Sequence, residues 1–266
     1  DTLPPRSLNM DRHQQLIDRV TQSFEDKFGH TPQRVISAPG RVNLIGEHTD
    51  YNDGFVLPCA IDYATIVAIS PTSGSQIDVV ACDYDDHDRF GTHSKFEHQA
   101  DEWKNHVRGV VASFQARGFP IGGAQIAIGG NIPQGAGLSS SASVGVALGK
   151  ALAIINKFSD IDETQIALIA QQSENDFVGC ACGIMDQLAS ARSVADHAML
   201  LDCRSLDFKP IPIPQKLSLL VIHSGIKRGL VDSAYNERRA QCEKAAGHYG
   251  VKALRDLDAQ RMSDEK

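Results

Sequence analysis

The segment 130–143 constrains the fold of this chain most, because a run of small residues joins two segments of different periodicity. It reads Gly-Asn-Ile-Pro-Gln-Gly-Ala-Gly-Leu-Ser-Ser-Ser-Ala-Ser. Apolar residues alternate weakly over 122–129 before it, as in a strand, and recur at helical spacing over 138–155. Free N–H groups and the positive dipole end at a helix start attract anions, and glycine lets a phosphate approach closely. The pattern predicts a phosphate-binding loop; a glycine-rich turn capped by serine is the alternative.

Two better-known nucleotide motifs do not fit this region. Residues 145–151, Gly-Val-Ala-Leu-Gly-Lys-Ala, are one residue short of the P-loop spacing and end in alanine in place of serine or threonine. A dinucleotide fingerprint would need a third glycine where Ser140 stands. The loop is therefore predicted to hold phosphate in neither a Walker nor a Rossmann arrangement.

A second segment, 39–54, concentrates polar side chains. It reads Pro-Gly-Arg-Val-Asn-Leu-Ile-Gly-Glu-His-Thr-Asp-Tyr-Asn-Asp-Gly and sets one arginine, one histidine and three carboxylates among three glycines. It follows a short extended run, 34–37, so a Pro-Gly turn is expected at its start. Functional residues concentrate on loops held by rigid elements. The segment is a candidate pocket wall, with a solvated turn as the alternative.

Together with residues 179–187, Gly-Cys-Ala-Cys-Gly-Ile-Met-Asp-Gln, these segments resemble motifs of the galactokinases, within the GHMP family of small-molecule kinases. The resemblance implies an α+β fold of two domains, with mixed or antiparallel sheets and helices packed on one side. Residues 1–210 would form the N-terminal domain and residues 211–266 the start of the C-terminal domain. The family's third, glycine-rich motif has no counterpart before Lys266, so we expect a truncated second domain.

The resemblance implies that segment 130–143 wraps the triphosphate of ATP. The residues assigned to the nucleotide phosphates are Gly135, Ala136, Gly137, Leu138, Ser139, Ser140 and Ser141. The resemblance also implies Mg²⁺, held by the Ser141 hydroxyl and the Glu174 carboxylate, since magnesium keeps several waters and takes few protein oxygens. Trp103, the only tryptophan, either lines an adenine pocket or anchors the core.

Asp186 matches the carboxylate that contacts the reacting hydroxyl in galactokinases. Phosphoryl transfer to an alcohol needs a base or orienting group, a metal and positive charge. By resemblance, Asp186 and Arg41 form the catalytic pair, and Arg41 would hold the carboxylate ionised. The sequence leaves open whether Asp186 is a general base, an orienting group, or only an acid in the first turn of a helix that starts near Met185.

By the same resemblance, six residues would bind the sugar: Glu47, His48, Thr49, Asp50, Gly183 and Tyr235. The implied reaction transfers the γ-phosphate of ATP to the anomeric hydroxyl of D-galactose, giving galactose 1-phosphate and ADP, the first step of galactose catabolism. An N-acetylgalactosamine kinase and a non-catalytic galactose sensor are the alternatives. Related sensors tend to lose residues of the serine-rich loop, which is intact here at 137–143, and this favours the enzyme.

Composition limits the class of protein and its partners. The chain has 266 residues, 42% of them hydrophobic, which suffices for a substantial core. A formal net charge of -7 argues against nucleic-acid binding. No long apolar window and no N-terminal signal pattern occurs, so we expect no membrane contact and a cytoplasmic location. We also expect a monomer when the protein is complete.

The six cysteines are scattered along the chain and are expected to be reduced. Cys180 and Cys182 are separated by one residue, whereas zinc and thioredoxin-type motifs have two residues between their cysteines. We interpret this pair as buried thiols and not as a metal site.

Periodicity predicts the remaining elements. Helices are predicted over 10–28, 103–114, 138–155, 161–177 and 231–246. Strands are predicted over 55–60, 63–70 and 76–82, forming an antiparallel meander, and over 217–223 as a buried strand.

Overall fold

The computed structural model describes residues 6–99, 102–223, 225 and 233–264. The strands are β1 (Arg34–Asn43), β2 (Phe55–Val56), β3 (Pro58–Pro71), β4 (Gln76–Ala81), β5 (Asp86–Gly91), β6 (Ala124–Gly130), β7 (His197–Asp202) and β8 (Phe208–Pro212). The helices are α1 (Arg6–Phe28), α2 (Glu102–Ala116), α3 (Ser140–Ile155), α4 (Glu163–Gln172), α5 (Met185–Arg192), α6 (Ser233–His248) and α7 (Ala259–Asp264). A π-helix, Ser173–Val178, continues α4. Among the described residues, no helix is long and apolar enough to cross a membrane.

The strands form one mixed sheet of eight strands built around β3. The order is β2-β7-β3-β6-β4-β5, with β1 also paired to β3 and β8 to β7. The pairs are antiparallel except β4 with β6. The predicted α+β class is confirmed, and the sheet differs from the parallel sheet of a Rossmann fold.

The predicted meander is wrong in its connections. β3 runs unbroken through Asp62, which is exposed and can stay hydrated within a strand. β3 pairs with β1 and β6, whereas β4 pairs with β5 and β6. Alternating side chains identify a strand, but they do not specify which strand lies next to it, so the sequence order of the strands was a poor guide to their pairing.

The expected Pro-Gly turn at the start of segment 39–54 is also wrong. β1 continues through it to Asn43, and only its register against β3 shifts, between Pro39 and Arg41. Such a bulge suits proline, which lacks a backbone N–H for the ladder. β1 therefore carries Arg41 within the sheet itself, on a more rigid support than a loop would give.

Helices cover both faces of the sheet. The main cluster of buried side chains joins one face to α2, α3, α4 and α5 and includes Val67 and Ile69 of β3. The alternate residues of β3, Ile66 and Ala68, pack in a second cluster with α1. The expected helical layer on one side is thus formed by α2 to α5, and α1 adds a layer on the opposite face.

The predicted helices are present with small shifts at their ends, and the helix predicted over 161–177 is α4 continued by the π-helix. For α6, the predicted first residues, Val231 and Asp232, lie outside the described part of the chain. The strand predicted over 217–223 is wrong. These residues form no helix or strand, and Leu220 and Ile222 are 83% and 81% exposed. A strand needs a hydrogen-bonding neighbour, and the described strands offer this segment none.

Candidate active site

The loop before α3 is pinned to the second half of β1. The backbone N–H of Arg41 donates to the carbonyl of Leu138 over 3.2 Å. A Cβ at Gly40 would lie 2.7 Å from the same carbonyl oxygen, so only glycine allows this approach. The Ser190 hydroxyl of α5 donates to the carbonyl of Pro39 over 2.7 Å. Strand, loop and α5 therefore meet at one place, and Arg41 and Asp186 lie there.

Arg41 and Asp186 form a bidentate ion pair. Arg41 Nε donates to Asp186 Oδ1 over 2.7 Å, and Arg41 Nη2 donates to Oδ2 over 2.6 Å. The third nitrogen, Nη1, donates to the carbonyl of Gly137 in the loop, also over 2.7 Å. The side chains are only 12% and 26% exposed. Paired charge-assisted bonds of this kind fix orientation as well as charge, so the predicted catalytic pair is assembled in a defined geometry.

Ser139 completes the surroundings of Asp186. It precedes α3 with left-handed backbone angles, φ 60° and ψ 48°, and its side chain does not cap the helix. Its hydroxyl instead donates to Asp186 Oδ2 over 2.6 Å. The alternative of a serine-capped turn therefore does not describe Ser139. The strained backbone at this position directs the hydroxyl toward the carboxylate.

The rest of the loop has the features of an anion-binding surface. Gly135 and Gly137 have positive φ angles of 68° and 73°, and a Cβ at Gly137 would meet no other atom within 4 Å. The first turn of α3, which contains Ser140 and Ser141, carries no acidic residue. Leu138 differs from its neighbours because its side chain is buried and its carbonyl is bound to β1. Ala136 lies half-buried between the two glycines.

Glu174 is a buried carboxylate with an unsatisfied oxygen. It is 4% exposed, and its Oε1 has no hydrogen-bond partner among the described residues. Burial, followed by the nearby charge of Asp186, raises the pKa of Glu174 to about 7, although Gln187 and Ser141 beside it act in the opposite direction. A hydroxyl and an unpaired carboxylate oxygen are the ligands that a hard cation prefers. Ser141 and Glu174 therefore fit a divalent cation.

Cys180 and Cys182 lie next to Glu174. Both thiols are buried, as predicted, and they are free. Ligand atoms of Glu174, Cys180 and Cys182 all lie within 4.8 Å of one another. The cysteine spacing alone argued against a metal site, but that reasoning did not include Glu174, which the π-helix brings to the pair.

Asp50 and Gly183 form the contact between segment 39–54 and residues 179–187. Asp50 is only 9% exposed, and a Cβ at Gly183 would lie 2.1 Å from its Oδ2. Burial, followed by the charge of Asp186, raises the pKa of Asp50 to about 6. Tyr235 lies beside Gly183, and burial, followed by the charges of Asp50 and Asp186, raises the pKa of its hydroxyl. Three of the predicted sugar-binding residues thus meet beside Asp186.

His48 joins this group at its exposed edge. Its Nδ1 lies 2.6 Å from the hydroxyl of Tyr51, and the rings of Tyr51 and Tyr235 pack edge to face with centroids 5.4 Å apart. His48 and Tyr235 have ring centroids 6.0 Å apart. Segment 39–54 therefore contacts α6, which lies far along the chain.

Three other predicted site residues are placed differently. Glu47 is exposed and accepts a hydrogen bond from Asn43 over 3.1 Å. The Thr49 hydroxyl lies 2.8 Å from the carbonyl of Gly46 and 2.7 Å from that of Phe55, within its own turn. Trp103 packs against the main core cluster and donates from Nε1 to Asp86 over 3.1 Å, which agrees with the core-anchor alternative.

Residues that the sequence analysis missed hold segment 179–183 in place. Asn236 accepts a hydrogen bond from the N–H of Ala181 over 3.0 Å, and Arg239 donates to the Ala181 carbonyl over 2.8 Å. Gln187 is fully buried and donates to Cys182 Sγ over 3.5 Å. Asn236 and Arg239 lie on a charged helix with no distinguishing pattern, so periodicity could not have identified them.

Family models match two parts of the chain that carry this geometry. Residues 22–71 match the galactokinase galactose-binding signature, and residues 105–193 match the GHMP kinases N terminal domain. The fold is shared with several kinases. A D-glycero-D-manno-heptose 1-phosphate kinase from Bacteriodes thetaiotaomicron is 22% identical, with a TM-score of 0.56 over 68% of this chain and 60% of that one. The mevalonate kinase of Methanococcus jannaschii is 19% identical, with a TM-score of 0.54 over 67% and 55%.

The chain therefore has the GHMP kinase fold, and residues 105–193 match the N-terminal domain of that family. A more extensive similarity is to the galactokinase of Lactococcus lactis, which was crystallised with galactose: 27% identity and a TM-score of 0.81 over 94% of this chain. Among kinases of this fold, the chain therefore resembles a galactokinase. It spans 66% of the length of the lactococcal protein.

Proposed function

We propose that this protein transfers the γ-phosphate of ATP to the anomeric hydroxyl of D-galactose, giving galactose 1-phosphate and ADP. The observation that carries the proposal is the position of Asp186. Its carboxylate is bound by Arg41 and by Ser139 of the phosphate loop, and its charge also acts on Asp50 of the galactose signature. One carboxylate therefore lies between a candidate phosphate site and a candidate sugar site.

Asp186 would act on the hydroxyl that attacks. In the proposed reaction, the anomeric oxygen forms a bond to the γ-phosphorus as the bond from that phosphorus to the bridging oxygen of ADP breaks. Asp186 orients the hydroxyl and accepts its proton. Bound on both oxygens, the carboxylate is already positioned, which removes much of the cost of orientation from the chemical step.

Arg41 and the loop would stabilise the negative charge of the transferring group. Phosphoryl transfer depends mainly on positioning and on positive charge around the phosphoryl oxygens. Arg41 supplies that charge, and the N–H groups at the start of α3 supply hydrogen-bond donors, with Gly137 leaving room for phosphate. Mg²⁺, when bound by Ser141 and Glu174, would neutralise charge on the β- and γ-phosphates.

Asp50, Tyr235 and His48 would bind the sugar. A buried carboxylate that accepts hydrogen bonds from sugar hydroxyls discriminates against an epimer, because the wrong sugar leaves it unpaired. Gly183 leaves room for the Asp50 side chain, because a larger residue at this position would collide with it. Glu47 lies at the exposed rim, and Thr49 would act by holding the turn that carries Asp50.

The test is Mg²⁺-dependent ADP release from ATP with D-galactose, D-glucose or N-acetylgalactosamine, together with detection of the sugar phosphate by ³¹P NMR. The expected result is ADP release that depends on both galactose and Mg²⁺, with galactose 1-phosphate formed in equal amount. Turnover with N-acetylgalactosamine in preference to galactose would overturn the substrate assignment. Galactose that raises the melting temperature without any turnover would indicate a binding protein instead of an enzyme.

A further inference from the structure

The cluster of Glu174, Cys180 and Cys182 has a ligand set unlike that of a magnesium site. It contains two thiols and one carboxylate, with ligand atoms within 4.8 Å of one another. All three residues are buried, at 4%, 8% and 8% exposure. Thiolates select soft or borderline cations such as Zn²⁺, whereas Mg²⁺ prefers oxygen. The chemistry of the cluster therefore differs from that of the proposed catalytic cation.

The backbone holds the three side chains in place. The carbonyl of Glu174 accepts hydrogen bonds from the N–H groups of Gly179 and Cys180, over 2.8 Å and 3.0 Å, at the end of the π-helix. Asn175 Oδ1 accepts from the N–H of Cys182 over 2.9 Å. Short π-helical turns occur often at functional sites. The cluster is thus a constrained arrangement in which the ligands cannot easily move apart.

A second observation shows that Glu174 has an oxygen available to a cation. Glu174 Oε1 is buried without a hydrogen-bond partner among the described residues. A buried acceptor with no partner costs on the order of 1–3 kcal/mol, and more when the group is charged. A cation bound by the Glu174 carboxylate and the two thiolates would offset that cost.

We infer that Glu174, Cys180 and Cys182 form a binding site for a thiophilic divalent cation of the Zn²⁺ class. With Zn–S bonds of about 2.3 Å, tetrahedral ligands lie about 3.8 Å apart, so the atoms need to close by roughly 1 Å or less. Binding releases the thiol protons to solvent and leaves a fourth position for water or a substrate oxygen. A cavity of about 370 Å³, lined by Asn175, Ala181 and Arg239, lies beside the segment that carries the two cysteines.

The site would regulate the protein by competition for Glu174. This consequence, unlike the binding itself, rests on the proposed kinase function. Glu174 cannot serve a thiolate-bound Zn²⁺ and the proposed Mg²⁺ at once. Micromolar Zn²⁺ is therefore expected to inhibit galactose-dependent turnover, and excess Mg²⁺ is expected to relieve the inhibition only partly, because Mg²⁺ has little affinity for thiolates.

The binding test uses Co²⁺ as a spectroscopic substitute for Zn²⁺ on the reduced, full chain. The expected result is a near-ultraviolet thiolate-to-cobalt charge-transfer absorption that Zn²⁺ abolishes by displacement. Cys180→Ser and Cys182→Ser should each weaken Co²⁺ binding at least about 10-fold, as a lost ligand should cost no less than a lost supporting contact. Cys203→Ser, which changes another buried cysteine, should leave the absorption intact. Absence of the absorption in the unsubstituted protein, or its persistence in both cluster variants, would overturn the inference.

A second measurement needs no substitution and covers the case in which a variant does not fold. Zn²⁺ should slow alkylation of Cys180 and Cys182, resolved by peptide mass spectrometry, without slowing that of Cys242, which is half-buried on α6. Equal alkylation with and without Zn²⁺ would contradict the site. Neither measurement involves turnover, so a cobalt band and thiol protection in a protein without kinase activity would support the metal site while the proposed function failed.

Discussion

Two neighbouring carboxylates, Asp186 and Glu174, differ in their burial and in the hydrogen bonds that they accept. Asp186 accepts three hydrogen bonds, two from Arg41 and one from Ser139, on a side chain that is partly exposed. Glu174 is almost fully buried, with one oxygen unpaired among the described residues. The hydrogen bonds of Asp186 are made within the protein, whereas Glu174 keeps one oxygen available to a ligand or a proton.

This difference separates two kinds of functional residue. A group that acts on a reacting hydroxyl benefits from a fixed position before the substrate arrives, because no reorganisation is then needed during the reaction. A group that binds a cation benefits from being unsatisfied in its absence, because the cation removes an existing cost. Asp186 has the first property and Glu174 the second, so their substitution should affect different measurements.

The largest expected effect is on turnover, when Arg41, the partner of Asp186, is replaced. Arg41→Met should lower kcat by at least about 10²-fold, because it removes both the transition-state charge and the donors that orient Asp186. Arg41→Lys keeps the charge but loses the bidentate geometry, and it should recover only part of the rate. Steady-state ADP release measures both variants. Near-wild-type turnover in Arg41→Met would show that the ion pair is structural.

Glu174 is expected to make the free energy of unfolding depend on pH. The folded-state pKa is raised from 4.5 to about 7, so the folded protein binds the proton more tightly than the unfolded chain does. Stability should therefore be highest below about pH 4.5 for this group and fall by about 3 kcal/mol as the pH rises to about 7. Glu174→Gln should remove this slope.

Urea unfolding from pH 5 to pH 8 in the presence of a chelator measures this slope, as the difference between the unsubstituted protein and Glu174→Gln. The difference matters because Asp50 contributes a slope of the same sign. An added divalent cation should restore stability at neutral pH in the unsubstituted protein alone. Parallel pH curves for the two proteins would contradict the account of Glu174.

A glycine substitution tests whether the sugar site depends on space beside Asp50. Gly183→Ala would place a Cβ 2.1 Å from Asp50 Oδ2, and relieving that overlap should destabilise the fold by about 1–3 kcal/mol and weaken galactose binding. The matched control is Gly247→Ala in α6, where a Cβ meets no other atom within 4 Å. The control should be neutral or slightly stabilising, because alanine favours a helix. Calorimetric titration with galactose compares the two variants, and equal affinities would remove Gly183 from the site.

The smallest expected effect concerns the pH dependence of galactose binding. With its pKa raised to about 6, Asp50 is ionised at pH 8 and becomes protonated as the pH falls through 6. At pH 5 the ionised fraction is about one tenth, so the KM for galactose should rise about 10-fold between pH 8 and pH 5. Asp50→Asn should show a KM that is high and nearly constant over the same range. A pH-independent KM in the unsubstituted protein would exclude Asp50 as the acceptor.

The sequence was most informative where chemistry requires particular residues in a short segment. Through the resemblance that they carry, segments 39–54 and 130–143 predicted Arg41, Asp50 and the loop glycines as site residues, and the structure brings these together around Asp186. Sequence reasoning failed where the answer depends on contacts between distant segments. The partners of β3 and the exposure of segment 217–223 are such properties of the folded chain. The approach of Glu174 to the two cysteines is local, but it depends on a π-helical turn that the periodicity did not indicate.

The central claim is that Asp186 acts in the chemical step while other groups bind the substrates, and Asp186→Asn tests it most directly. The measurement is ³¹P NMR of galactose 1-phosphate formation, together with calorimetric titration of galactose and ATP in the same samples. The account predicts a loss of at least about 10²-fold in turnover with galactose and ATP affinities changed by a few-fold at most. Turnover at the unsubstituted rate, or a loss explained entirely by weaker binding, would contradict it.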